Sequence, residues 1–254
     1  MNDFNDLQNR IKTSKHLDFG NILNDAIALF KKGWLQGFLM LLLQFVLILP
    51  LMLVVYIPML FLGGLNFQVF DKEVASVLAL IIFVLVSLFA ILTISVVAFA
   101  IQAGFFRICR QLDRGENQGF DYLYFLKRKY LSKIATIMLI ALGINIAAVL
   151  LCVLPVFYVA IPIAMIPVVF AFNTHLSASD IVKLSFDLGN KKWFLIFGLT
   201  LVSAFLSELV GVLMCGIGLF LTMSFIFVPK YFVYKETLGF DEDIVINEIG
   251  VTNM

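Results

Sequence analysis

Apolar blocks separated by short polar connections run along most of this chain, and their lengths set the first expectation. A membrane-spanning helix needs roughly 20 predominantly apolar residues. Six blocks meet that length, over 34–57, 76–104, 131–152, 155–173, 193–214 and 217–234. The runs are continuous and lack the every-second-residue alternation of a transmembrane β-barrel, so spanning by strands is excluded. The expected fold is an all-α integral membrane protein with six transmembrane helices. A polar N-terminal tail covers 1–17, the membrane domain 18–235 and an acidic C-terminal tail 236–254.

Charge adds an orientation to that pattern. The odd-numbered polar stretches carry Arg10, Lys12, Lys15, Lys31 and Lys32, then Arg107, Arg110, Arg114, Lys127, Arg128, Lys129 and Lys133. They continue with Lys183, Lys191 and Lys192, and end with Lys230 and Lys235, whereas the even-numbered stretches hold Lys72 alone. Lys and Arg collect in the loops on the cytoplasmic side. Both termini are therefore expected in the cytoplasm, with the chain in a bacterial inner membrane. The first 17 residues contain no apolar h-region, so the first span is expected to act as its own insertion signal.

Composition agrees with the pattern. Hydrophobic residues make up 62% of the chain and charged residues 14%, where soluble domains carry about a quarter charged. The net charge is only +1, and the basic residues are expected to spread over one face of a bilayer instead of forming a basic domain, which points away from nucleic acid as a partner.

The second block extends past its span. Phe105, Phe106, Ile108, Cys109 and Leu112 continue an apolar stripe, with Arg107, Arg110 and Arg114 at three- and four-residue steps on the other side and Gly115 where a C-terminal cap belongs. The plain reading of these arginines is snorkelling to lipid phosphates, and the competing one is a binding site. Pro50 and Pro58 in the first span, and Pro155, Pro162 and Pro167 around the fourth, are expected to kink their helices.

A local design recurs before the first, third and fifth spans. Asp25 to Trp34 ends in Lys31-Lys32-Gly33-Trp34, Asp121 to Tyr130 ends in Lys127-Arg128-Lys129-Tyr130, and Leu184 to Trp193 ends in Lys191-Lys192-Trp193. The six helices are thus expected as three hairpins, each preceded by an interfacial amphipathic helix on the cytoplasmic face. In the first copy Phe19, Ile22, Leu23, Ala26, Ile27 and Phe30 share one face, and in the third Ser177 to Asp180 forms a capping box. The basic residues and the terminal Trp or Tyr of each copy are expected to anchor at the headgroup layer.

Through Phe19 to Leu39 and Ser177 to Phe232, with the Ser185-Phe186 and Lys191-Lys192-Trp193 elements, the chain resembles the membrane domain attached to some bacterial glycerophosphodiester phosphodiesterases. It is similar in the same way to related stand-alone multi-span proteins. In that family the phosphodiesterase activity belongs to a separate soluble barrel, and no such domain fits in this chain. The resemblance therefore implies a membrane fold and carries over no catalytic residue.

Candidate chemistry within the blocks is sparse. Glu208 is the clear intramembrane charge, about 22 Å from Trp193 at helical rise. It reads either as a proton or cation ligand facing the bundle interior or as a hydrogen-bonded residue near the outer boundary. Ser203, Ser207, Gly211 and Cys215 recur every four residues, a small-residue ladder on which another helix can approach closely. Gly33 and Gly37 form a weaker pair of the same kind. Gln44, Gln102, Asn145 and Asn173 are expected to hydrogen-bond between helices. Cys109, Cys152 and Cys215 make no metal spacing; a disulfide between Cys152 and Cys215 competes there with simple packing.

His16 and His175 are the two histidines, too few for an iron-binding set, and no GxSxG, P-loop or dinucleotide fingerprint occurs. No catalytic residue, cofactor or metal ligand is assigned. The leading expectation is a non-enzymatic scaffold, accessory subunit or lipid-associated factor, partnered by membrane lipids and other membrane subunits. Its alternatives are a small transporter or channel for an apolar or lipidic substrate and, less favoured, a metal-dependent membrane oxygenase.

Overall fold

The structure, a computed structural model, describes residues 3–64, 73–116, 119, 121–151, 153–214 and 216–240. Among these, the α-helices are α1 (Phe4–Thr13), α2 (Phe19–Gly64), α3 (Glu73–Arg114), α4 (Arg128–Leu150), α5 (Val153–Phe172), α6 (Ala178–Lys191), α7 (Trp193–Leu213), α8 (Ile217–Thr222) and α9 (Val228–Leu238). Short 3-10 turns occupy Tyr124–Leu126 and Met223–Phe227. Five helices, α2, α3, α4, α5 and α7, contain stretches long and apolar enough to cross a membrane. Their flanks carry Leu150, Phe89 and Phe194 at 80%, 73% and 85% exposure. Water would not tolerate so much continuous apolar surface, and hydrocarbon does. The chain is a multi-pass membrane protein.

Helices adjacent in sequence lie side by side, α2 with α3, α4 with α5 and α7 with α8. The packed core sits toward one end of the bundle. There α1, the start of α2, the end of α3, α6 and α9 meet around Phe105, Phe106, Phe125, Phe170, Tyr231 and Tyr234. The basic connections assemble at this end. Arg10 Nη1 donates to the Leu238 carbonyl at 3.1 Å. Lys133 Nζ reaches the carbonyls of Thr174 and Leu176, each at 2.8 Å, across the turn that follows α5. A cation there also complements the negative end of the helix.

α9 is the central strut of the basic end, touching α1, α2, α3, α5 and α7. Its final turn and the residues just after it are packed, with Leu238 and Phe240 buried, so the core extends past 235. The acidic stretch after Phe240 lies outside the described residues.

The segment expected as a sixth span is not one straight helix. α8 passes through the 3-10 turn and restarts as α9 with Pro229 in its first turn. Proline has no N–H and its ring clashes with the carbonyl four residues earlier, so a helix can begin there but not run through undisturbed.

α2 continues past Pro50 and Pro58, and α5 past Pro162 and Pro167. In α2 the helical dihedrals break at Gly33, at φ −118° and ψ 16°. Almost the same geometry, φ −111° and ψ 23°, occurs at Lys192 between α6 and α7. Both bends fall one residue before a Trp.

The entry segments differ from the interfacial helices expected. α6 buries Ile181, Leu184, Ser185 and Leu188 within the protein, packed chiefly on α5 and also on α1 and α4. Before α4 the described residues 121–127 form a turn closed by the Leu123 amide on Asp121 Oδ1 and a single 3-10 turn, and none of them is in an α-helix. The expected polar tail contains α1, whose Leu7 and Ile11 are buried at 1% and 2% exposure. Asp3 caps its start, and Phe4, Leu7 and Ile11 recur at helical spacing.

Candidate functional site

The last turns of α3 carry the densest charge at the basic end. Steps of three and four residues put Arg107, Arg110 and Arg114 along one side of the helix. Phe105, Phe106, Ile108 and Cys109 on the other side are buried, as the stripe predicts. Gly115 adopts φ +70°, and the bonds Gly115 N–H to Leu112 O and Glu116 N–H to Gln111 O close the helix as a Schellman motif.

Aromatic rings hold the guanidiniums. The Arg107 guanidinium lies 3.6 Å above the Tyr124 ring, and that of Arg110 lies 4.4 Å from the Phe240 ring and 5.9 Å from that of Phe172. Arg114 is 5.8 Å from Phe240 and 3.8 Å from the Glu116 carboxylate. The three arginines, with Gln111 and Glu116, line a mainly polar cavity of about 390 Å³ against the end of α5 at Phe172.

The surroundings fix this arrangement. Tyr231 donates its hydroxyl to Asp113 Oδ2 at 2.8 Å, and Lys235 Nζ donates to the same oxygen at 2.7 Å. Asn173 Nδ2 reaches the Tyr234 hydroxyl at 2.7 Å and the Val169 carbonyl at 2.8 Å, an interhelical bond of the kind expected. Tyr130 donates to the Tyr124 hydroxyl at 3.1 Å. That bond, helped by Arg107, Lys127 and Lys129 and opposed by partial burial, holds the Tyr124 hydroxyl below the usual tyrosine range.

The expected interface anchors divide in two. Lys31, Lys32, Lys127, Arg128 and Lys129 are exposed, Trp34 is 46% exposed, and Tyr130 is half-buried within the ring cluster. Lys191 and Lys192 instead donate to the backbone carbonyls of Lys12 and Lys15 and tie the N-terminal segment to the α6–α7 corner. Lys192 is buried, and burial, with the neighbouring Lys191 second, pulls its ammonium below the ordinary lysine range. Trp193 Nε1 donates to the Tyr158 carbonyl at 3.0 Å, and its ring stacks with Phe197 and Tyr158.

The small-residue ladder finds its neighbour within the same chain. Ser203, Ser207 and Gly211 are buried, and the latter part of this face packs on α8. Ser207 Oγ donates to the Thr222 carbonyl at 2.9 Å, and Thr222 Oγ1 returns a bond to the Ser207 carbonyl at 2.7 Å. A Cβ on Gly211 would fall 2.9 Å from the Leu219 Cα. Cys215 and Cys152, and with them the disulfide question, lie outside the described residues. Gly37 faces Ser224 and Gly33 faces Leu112, so that pair also packs internally. Glu208 is on the exposed side of α7, away from the ladder. Among the described residues no three His, Cys, Asp or Glu side chains group as a metal site.

Sequence reasoning missed the aromatic partners of the arginines and the docking of α1, where Gln8 Nε2 bonds Asp187 Oδ2 at 2.7 Å. The spacing of Phe4, Leu7 and Ile11 behind Asp3 is the signal that marks α1. No family model, curated protein or solved structure matches this chain.

Proposed function

We propose that the chain is a non-enzymatic scaffold or accessory protein of a bacterial inner membrane, crossing it six times with both termini in the cytoplasm. The observation that carries this reading is the contrast between the basic end, tied together by bonds between distant segments, and the apolar flanks left for lipid and neighbouring subunits. Much of the polar chemistry at that end is engaged in holding the protein's own segments together, as a structural component requires.

Chain parity supports the sixth crossing. α7 starts at the basic end beside Lys192, and α9 packs at that same end. The chain leaving the far end of α7 must therefore return through α8 and the 3-10 turn. The matching bends before Trp34 and Trp193 support a shared design for the first and third entry segments, whereas the second has diverged. Accumulated Lys and Arg at this end favour the cytoplasmic side for it.

Reporter fusions test the topology. Those after residues 70, 153 and 216 are expected to report the outer side, and those near 118, 180 and 250 the cytoplasm. Reversed signals at two or more sites would sink it. Native purification with mass spectrometry tests the role: a stoichiometric membrane-protein partner is expected, and a solitary protein that moves a solute in proteoliposomes would replace this reading with transport.

A further inference from the structure

We propose that the cavity at the α6–α7 corner holds one anionic phospholipid, its phosphate at Lys191 and Lys192 and an acyl chain against Trp193, Phe194 and Leu195. The cavity measures about 730 Å³, and Leu17, from the segment joining α1 to α2, also lines it. A pocket of that size takes a small ligand or the upper part of a larger one.

Charge at this corner is unbalanced. No acid is among the described residues that line the cavity. Lys191 and Lys192 each donate to a neutral partner, the backbone carbonyls of Lys12 and Lys15. Asp187, one turn back on α6, is instead bonded to Gln8. An ammonium has three N–H donors, and one carbonyl takes one of them. Lys192 is buried, and a buried charge without a counter-charge is costly. A phosphate supplies that counter-charge and accepts the remaining bonds.

The walls select the rest of the molecule. Most of the lining is apolar. Phe194 belongs both to it and to the exposed flank of α7, which continues through Phe197 and Leu201. A soluble phosphate would leave these walls unfilled, whereas a phospholipid brings the anion and the chain together. Trp193 is fixed in the wall, because its Nε1 donates to the Tyr158 carbonyl and its ring stacks with Tyr158 and Phe197. Tyr158 is held in turn by its hydroxyl, which donates to Asn190 Oδ1 at 2.9 Å. A wall set in advance loses little entropy when a chain is laid against it. The site depends on the membrane location of the chain and not on the scaffold reading, so its failure would leave that reading standing.

Bromine on a lipid chain quenches nearby tryptophan fluorescence, and the two tryptophans, Trp34 and Trp193, allow each to be read alone. Full-length Trp34→Phe protein, in which Trp193 reports, is reconstituted in phosphatidylcholine. Brominated phosphatidylglycerol or brominated phosphatidylcholine is the minor component. Trp193→Phe protein, in which Trp34 reports from outside the cavity, is the control.

Phosphatidylglycerol is expected to quench Trp193 at an about fivefold lower mole fraction than phosphatidylcholine, the scale of one lysine's attraction for an anionic lipid. The preference is expected to hold at about 1 M salt, where the Debye length is about 3 Å, because direct contact escapes most of the screening. Diffuse attraction to Lys31 and Lys32 beside Trp34 is lost under those conditions. Lys191→Gln, at an exposed position, is expected to at least halve the preference. Equal quenching of Trp193 by the two lipids, or a preference that salt abolishes, would overturn the proposal. So would the same salt-resistant preference at Trp34, or an unchanged preference in Lys191→Gln. The Trp193 reading decides the matter even if Lys191→Gln does not fold.

Discussion

Gly189 of α6 lies where a Cβ would come within 2.5 Å of the Cα of Pro162 in α5. Backbone cannot swing aside as a side-chain tip can, so Gly189→Ala must push the two helices apart. Overpacking of this kind costs about 1–3 kcal/mol. Gly143 on α4 is the matched control, since a Cβ there meets nothing within 4 Å. Gly143→Ala is expected to leave stability unchanged or raise it, because alanine is favoured over glycine inside a helix by about 1 kcal/mol. Thermal melts of the two variants in one detergent check the pair; equal shifts would remove the close α5–α6 contact. Nothing in the local sequence separates these two glycines. The arginine row of α3 was legible from its spacing, and so was the cap at Gly115, because both depend on neighbours within two helical turns. The rings that hold Arg107 and Arg110 were not, since Tyr124, Phe172 and Phe240 come from three separate segments.

The α7–α8 pair makes a similar point about helices. The ladder announced a tight interface from its four-residue spacing, but spacing says only that a face is small, not what covers it. The reciprocal bonds between Ser207 and Thr222 identify a neighbour in the same chain. A Ser207→Cys/Thr222→Cys protein, in a background without native cysteines, is expected to oxidise to a monomeric species with an internal crosslink. Dimer on a non-reducing gel, with no internal crosslink, would mean the ladder joins two copies instead. α1 gives a second test. Leu7→Ala removes a buried side chain from its docking face, at a cost of about 2–5 kcal/mol. The variant is expected to expose Arg10, Lys12 and Lys15 to rapid trypsin cleavage while the wild type resists. Equal digestion would show that α1 is not held. The bends tell the same story in reverse: prolines stood out in the sequence, yet in α2 the dihedrals break at Gly33. A proline can keep helical dihedrals while losing one hydrogen bond, so its presence does not locate the bend.

Across the body as a whole, the sorting of charge and the packing of the core belong to the same end. Arg10, Lys133 and Lys192 each bond a backbone carbonyl of a distant segment there, so the basic connections help to tie that end together. The expectation of interfacial helices treated each entry segment as a partner of lipid, and the first bends into α2 while the third buries its apolar face against protein. An amphipathic helix carries one apolar face, and headgroup layer and protein core satisfy it equally well in sequence terms. The amino-acid sequence by itself determined the helical class, the presence of several helices long and apolar enough to cross a membrane, the clustering of positive charge between them and the end of α3. Each follows from residue type and short-range spacing, which act through desolvation and local sterics. Only the tertiary structure decided that α1 is part of the core, that α9 is its strut, that the ladder packs on α8 and that aromatic rings enclose the arginines. Those outcomes depend on which surfaces meet across long stretches of chain, and apolar faces of similar size do not encode their partners in their own pattern.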